Sequence, residues 1–299
     1  MKPAAMRIGQ REFVWGERTY IMGIVNVTPD SFSGDGLLRQ GAASPADVVE
    51  AAVSQGLRFL AEGADLLDIG GESTRPGGQT VDAETEAARV LPVIQRLRAA
   101  TDAPLSVDTY KASVARAALD AGADLVNDVW GLQMDPDLAP LVAERGAPVV
   151  IMHNRSKPKD AAQQERLGGH YVGVHYDDLI ADILRELGDQ VARAEAAGIL
   201  RERIIIDPGV GFGKTVEQNL RLLNHADAFR ALGLPILLGP SRKSFIGYTL
   251  DLPPEERVEG TAAAVAVGIV RGGADIVRVH DVRAVARVAR MVDAILRAG

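Results

Sequence analysis

The chain of 299 residues contains no cysteine, which removes disulfides, thiolate zinc sites and thiol nucleophiles at once. It suits a reducing compartment, and a cytoplasmic protein is the expectation. An excess of basic residues is also missing. Lys plus Arg is 33 against 40 for Asp plus Glu, a formal charge of −7, and so a poor basis for a nucleic-acid-binding face. Long apolar runs are absent too. The longest stretch of apolar and small residues, Ala262 to Val270, is far below the ~18 residues of a membrane span. The first twenty residues carry no secretory-signal pattern. The five histidines lack metalloprotease spacing, and there is no Gly-Xaa-Ser-Xaa-Gly elbow. Gly209 to Thr215 ends like a phosphate loop, but Pro208 stands where its first glycine is required, and Lys214 stands where a dinucleotide fingerprint needs its third.

What is present is 47% hydrophobic sequence, enough for a large core, punctuated by single Gly and Pro residues rather than by linkers. Eight short apolar runs stand out: Tyr20–Val25, Leu66–Ile69, Leu105–Val107, Leu125–Val126, Val149–Met152, Ile204–Ile206, Ile236–Leu238 and Ile276–Val279. Most are solidly apolar, as strands buried on both faces are. Helix-like stretches separate them: about 47–62, 85–98, 113–121, 138–144, 179–197, 216–232, 261–271 and 284–297. Ser44-Pro45-Ala46-Asp47 supplies a cap and a first-position proline for the first helix. A faint repeat, Gly-Ala-Asp at 63–65, 122–124 and 273–275, joins helix ends to strand starts, with Gly146, Gly198 and Gly233 at equivalent junctions. Eight alternating strands and helices favour a single-domain α/β protein, a (β/α)8 TIM barrel over residues 21–299, with a doubly wound open sheet as the alternative. Residues 1–20 read as an N-terminal β-hairpin covering the barrel bottom, its turn at Gly16-Glu17.

The chemistry gathers after the apolar runs, where a barrel builds its active site. Asn26-Val27-Thr28-Pro29-Asp30-Ser31-Phe32, Gly70-Gly71-Glu72-Ser73-Thr74-Arg75-Pro76-Gly77, Asp108, Asn127, His153, Asp207 with its glycine-rich sequel, Ser241-Arg242-Lys243-Ser244 and Arg278-Val279-His280 all fall there. Asp108, Asn127 and Asp207 would converge over one mouth. Two carboxylates and an amide suit a ligand edge rich in N–H donors, although Asp before a helix is also a common cap. Arg278 and His280 lie two apart and share a face. With Arg242 and Lys243 they suit a phosphate or carboxylate, unless ion pairs with Asp281 or Asp275 absorb them.

These segments, taken in order from about Ile21 to Val282, resemble the dihydropteroate synthases of the pterin-binding family. The resemblance implies a barrel that joins 6-hydroxymethyl-7,8-dihydropterin pyrophosphate to 4-aminobenzoate and releases pyrophosphate. It implies that Asp108, Asn127, Asp207 and Lys243 hold the pterin, with Met152 and Phe212 against its faces. Asn26, Arg278 and His280 would grip the diphosphate, with Arg75 adding charge. The 4-aminobenzoate would lie near Phe32, Thr74, Pro76, Lys243 and Ser244. Magnesium (Mg2+) would sit between diphosphate and Asn26, the usual arrangement of few protein oxygens plus substrate phosphates. Asp35 is the further candidate ligand, one place later than the family pattern. Loops 27–36 and 71–79 would close over the site, and a homodimer through the outer helices is expected. A corrinoid-linked pterin methyltransferase domain should lack the diphosphate grip and the Thr-Pro-Asp-Ser-Phe loop. A non-catalytic pterin-binding relative would bind pterin without releasing pyrophosphate.

Overall fold

In the computed structural model, residues 3–28, 44–73, 80–157, 160–162 and 164–298 are described. The expected site residues Phe32, Asp35, Thr74, Arg75 and Pro76 lie outside them, as does most of both expected closing loops.

A hairpin of β1 (Met6–Ile8) and β2 (Arg11–Phe13) comes first. Its turn is at Gly9, where φ is +57°, and not at Gly16-Glu17 as expected. Aromatic residues misled the sequence reading: Phe13, Trp15 and Tyr20 stack in a cluster with centroids 4.6–5.7 Å apart, but Trp15 follows the strand rather than belonging to it.

The main sheet is parallel. It comprises β3 (Tyr20–Asn26), β4 (Leu66–Gly70), β5 (Leu105–Asp108), β6 (Leu125–Asp128), β7 (Val149–Met152), β10 (Ile204–Asp207), β11 (Leu237–Leu238) and β12 (Ile276–Val279). Every predicted strand is found. Consecutive strands are neighbours, β12 pairs with β3, and the ring closes where Ile206 bridges Ile236. This is the TIM barrel and excludes the open sheet. The pair β8 (Ala161–Ala162) and β9 (His170–Tyr171) is a small antiparallel addition that the sequence reading did not contain.

The helices are α1 (Pro45–Glu62), α2 (Ala83–Ala100), α3 (Ala112–Asp120), α4 (Leu138–Arg145), α5 (Leu179–Ala196), α6 (Val216–Asn224), α7 (Ser244–Leu250), α8 (Val258–Val270) and α9 (Val282–Arg297). Ser44 and Asp47 form a reciprocal capping box at the start of α1, and Gly63 ends it at φ +110°. Two expectations are corrected. The stretch 216–232 is not one helix but α6 followed by a 3-10 segment, broken at His225. The left-handed residue before β12 is Gly272, not Gly273.

The Gly-Ala-Asp repeat has a structural meaning. Asp65, Asp124 and Asp275 each accept the backbone N–H that starts a neighbouring strand segment, from Ile21, Leu105 and Ile236 respectively, at 2.8–2.9 Å. Each also receives an arginine: Arg18, Arg98 and Arg230. At three junctions the bottom of the barrel is thus stitched by carboxylates that pair a strand-start donor.

Side chains on a strand alternate, so the interior is read by counting in twos. Met22, Leu66, Leu125, Val150, Ile205, Leu237 and Ile276 form one buried cluster with Met6, Ile8, Phe13 and Trp15 of the hairpin region, which plugs the lower end. Val107, Val126, Ile151, Ile206 and Val277 face outward into the larger core beneath the helices. Two residues beyond the inner apolar layer, about 7 Å further along each strand, the interior changes character.

Candidate active site

That next layer contains Ile24, Asp68, Asn127, Met152, Asp207 and Arg278, with Asp108 entering from β5 two residues beyond buried Ser106. The alternation that fills the core therefore also lifts polar groups into the mouth without spending a loop on them. Asp108, Asn127, Asp207 and Met152 converge as expected. Asn26 ends β3 beside Gly70, and its amide makes no hydrogen bond among the described residues.

Arg278 sits across this layer. Its Nε donates to Asp68 Oδ2 and one terminal nitrogen to Asp108 Oδ2, both at 2.6 Å. Neither Asp281 nor Asp275 is its partner: Asp281 takes Arg242 through two bonds of 2.9 and 2.7 Å, and Asp275 takes Arg230. Asp68, which the sequence reading did not single out, also receives Asn127 Nδ2 at 2.9 Å. Counting by twos from apolar Leu66 would have found it.

Burial pushes the Asp108 carboxyl well above its ordinary value, with Arg278 working in the opposite direction. Burial likewise raises Asp207, opposed by Lys243 and by the Gly209 N–H, which donates to Asp207 Oδ1 at 2.7 Å. Lys243 stands at the N-terminus of α7, with its ammonium 4.3 Å from the centre of the Phe212 ring and bonded to Val210 O. Crowding by protein atoms brings it down to about 7 against the pull of Asp207. Ser244 follows as the first residue of α7, and Arg257 reaches back to the Arg242 carbonyl at 2.9 Å. Beyond β12, His280 Nδ1 lies 3.0 Å from Ser241 Oγ.

The glycine-rich turn after Asp207 is shaped by neighbours rather than by a phosphate. A Cβ on Gly209 (φ +73°) would stand 1.9 Å from His153 O, and one on Gly211 (φ +81°) 2.5 Å from Lys243 Cδ. Lys214 is a buried clamp and not a rim charge. Its ammonium donates to Gly209 O and Phe212 O at 2.9 and 3.0 Å and meets His153 Nδ1 at 3.0 Å. Burial lowers it to about 7. His153 Nε2 in turn faces Glu186 Oε2 at 3.0 Å, so the turn that carries Phe212 is fastened to β7 and α5. Arg242, held by Asp281, and Lys214 are both withdrawn from any free positive rim. Among the described residues, the cations set against these acids are Arg278 and Lys243.

A closed parallel barrel with acceptors and two cations at its C-terminal mouth defines a TIM-barrel enzyme for a small, N–H-rich and partly anionic ligand. Residues 22–280 match the family described as pterin binding enzyme. The chain is 46% identical over 292 residues to the dihydropteroate synthase of Clostridium beijerinckii, covering 98% of this chain and all of that one. It superposes at a TM-score of 0.85 and 44% identity on Xanthomonas albilineans dihydropteroate synthase with 4-aminobenzoic acid, covering 99% of both chains. A further structure of that enzyme, in complex with 7,8-dihydropteroate, matches at a TM-score of 0.83 and 41% identity, covering 98% of this chain and 99% of that one. The chain belongs to the dihydropteroate synthases, transferases that condense a hydroxymethyl-dihydropterin pyrophosphate with 4-aminobenzoate. Neither a non-catalytic relative nor a corrinoid-linked methyltransferase domain accounts for likeness of this extent to synthases.

Proposed function

We propose that the condensation begins with departure of pyrophosphate, giving a pterin-methylene cation that the amine of 4-aminobenzoate then attacks. The observation that carries this reading is an acceptor set, Asp108, Asn127 and Asp207, beside Arg278 and Lys243, in a chain with no cysteine. The C–O bond to the diphosphate breaks with its electrons on oxygen. The new C–N bond forms from the amine lone pair, and the amine's proton passes to the released pyrophosphate. No covalent enzyme intermediate is required.

In this reading Asp207 and Asp108 accept from the pterin's N–H groups. Asn127 and Lys243 complete the edge, and Met152 and Phe212 flank the ring. Arg278 leaves Asp68 and Asp108 in part to neutralise the diphosphate as charge grows on it, assisted by His280, Asn26 and Arg75. Phe32, Thr74, Pro76 and Ser244 lie toward 4-aminobenzoate. Among the described residues no cluster of three or more acidic or histidine side chains could cage a cation. The donor chemistry fits only an ion bound largely by substrate phosphates, with the Asn26 amide oxygen as the described protein ligand and Asp35 as a second candidate. When bound, magnesium would supply charge neutralisation for the leaving diphosphate. The protein is further proposed to be a cytoplasmic homodimer. Exposed Val267 and Val270 on α8 and Met291 and Ile295 on the adjacent α9 support an outer-helix interface.

The test is a pyrophosphate-release assay with both substrates and magnesium. Arg278→Ala should reduce binding of the pterin pyrophosphate at least tenfold more than binding of free pterin. Equal losses would assign Arg278 a structural role, and release of no pyrophosphate by the native protein would overturn the reading.

A further inference from the structure

Asp68 is fully buried on the inner face of β4, directly above apolar Leu66, at a position that Ile24 fills with hydrocarbon on the neighbouring strand. One of its oxygens, Oδ2, accepts from both Asn127 Nδ2 and Arg278 Nε. The other, Oδ1, is buried and has no hydrogen-bond partner among the described residues. A carboxylate kept for stability alone would be an expensive choice here, because burial of a charged group with an unsatisfied oxygen is costly and apolar side chains suit the layer below. What the group does achieve is directional. Oδ2 offers lone pairs, so the Asn127 amide must turn its NH2 toward Asp68 and leave its carbonyl oxygen for a ligand. Asn127 Oδ1 makes no hydrogen bond among the described residues.

We propose that Asp68 is a positioning residue that fixes the hydrogen-bonding sense of the pterin pocket by orienting the Asn127 amide, so that its carbonyl oxygen faces the ligand as an acceptor beside Asp108 and Asp207. The inference rests on the pterin pocket proposed above. Asp108, Asn127 and Asp207 then present only acceptors, and the pocket selects a heterocycle whose facing edge consists of N–H donors over an isostere that lacks one. The same Oδ2 holds Arg278 beside that edge, so one oxygen aligns both a recognition group and a cation.

The experiment measures dissociation constants of the intact enzyme, by calorimetry, for pterin and for isosteres that each lack one N–H donor. In Asp68→Asn the side chain at 68 can itself donate, and the Asn127 amide can turn around. Preference for pterin over the best-discriminated isostere should fall at least tenfold. In an Asn127→Ala background the same substitution should change that preference less than twofold. The exchanged pair D68N/N127D retains a buried donor–acceptor bond and should restore the preference. That restoration distinguishes orientation from a merely structural role and keeps the test open if Asp68→Asn alone folds poorly. Unchanged preference in Asp68→Asn, an equal loss in the Asn127→Ala background, or no restoration in the exchanged pair overturns the proposal. Failure of the native enzyme to bind pterin would instead overturn the functional reading beneath it.

Discussion

Lys214 illustrates how far a residue's position in a motif can mislead about its surroundings. Beside a run of glycines it stands where a phosphate loop would carry its lysine, although the spacing rules that loop out; in the fold it is buried against two carbonyls and an imidazole. Its ammonium is lowered from an ordinary value of 10.5 to about 7 because burial disfavours the charge. The unfolded chain therefore holds that proton more tightly than the native protein does. Between pH 7 and 10.5 unfolding takes up a proton, so this lysine's contribution to stability rises with pH and is lost as pH falls through about 7. Denaturant unfolding of the native protein and of Lys214→Met should differ by an amount that grows between pH 7 and 9.5, by no more than about 1.4 kcal/mol per pH unit. A difference that does not change with pH would mean that the lysine titrates normally. Asp108, Asn127 and Asp207 were legible because each ends an apolar run, whereas Asp68 was not because it lies within one. Only the two-residue alternation of a closed barrel tells that Asp68 points inward with them.

At the scale of elements, all eight barrel strands were readable because burial on both faces leaves a plain apolar signature. The misses occur where that signature gives way to local geometry. The hairpin turn falls at Gly9 rather than Gly16, α6 breaks at His225, and the seven-residue α7 is too short to display a period. The turn 209–213 is the element on which the site most depends, and its glycines separate two requirements. Gly209 needs both its left-handed backbone and the absence of a side chain, whereas Gly233 (φ +67°) has open space where a Cβ would go. Gly233→Ala should cost about 1 kcal/mol with turnover retained. Gly209→Ala should cost more, about 1–3 kcal/mol of strain, and should also raise KM for the pterin substrate, because the turn that carries Phe212 must move away from His153. Thermal melts and steady-state kinetics of the two variants check this. Equal kinetic effects would show that the close approach at Gly209 is unimportant.

For the whole molecule, the charge of −7 argues against a polyanion-binding surface, and the fold explains how anionic substrates are still accommodated. Arg278 and Lys243 lie inside the barrel mouth, where neighbouring acids partly neutralise them. Apolar side chains on α8 and α9 lead to a further expectation. Val270 and Met291 are 58% and 61% exposed, and under the proposed outer-helix interface the native protein should sediment as a dimer and the double variant Val270→Glu/Met291→Glu as a monomer. An unchanged sedimentation coefficient would place the interface elsewhere. The ring of strands is also uneven around its circumference. β11 is two residues long, and a single bridge, Ile206 to Ile236, joins it to β10. Asp207 ends one side of this seam, and Lys243 follows the other. A pterin held by both would act as a rivet across the thinnest join in the wall. Amide exchange at 204–207 and 236–239 should then slow more on ligand binding than exchange along the well-paired β4–β5 join, so that the substrate itself completes the enclosure in which it reacts.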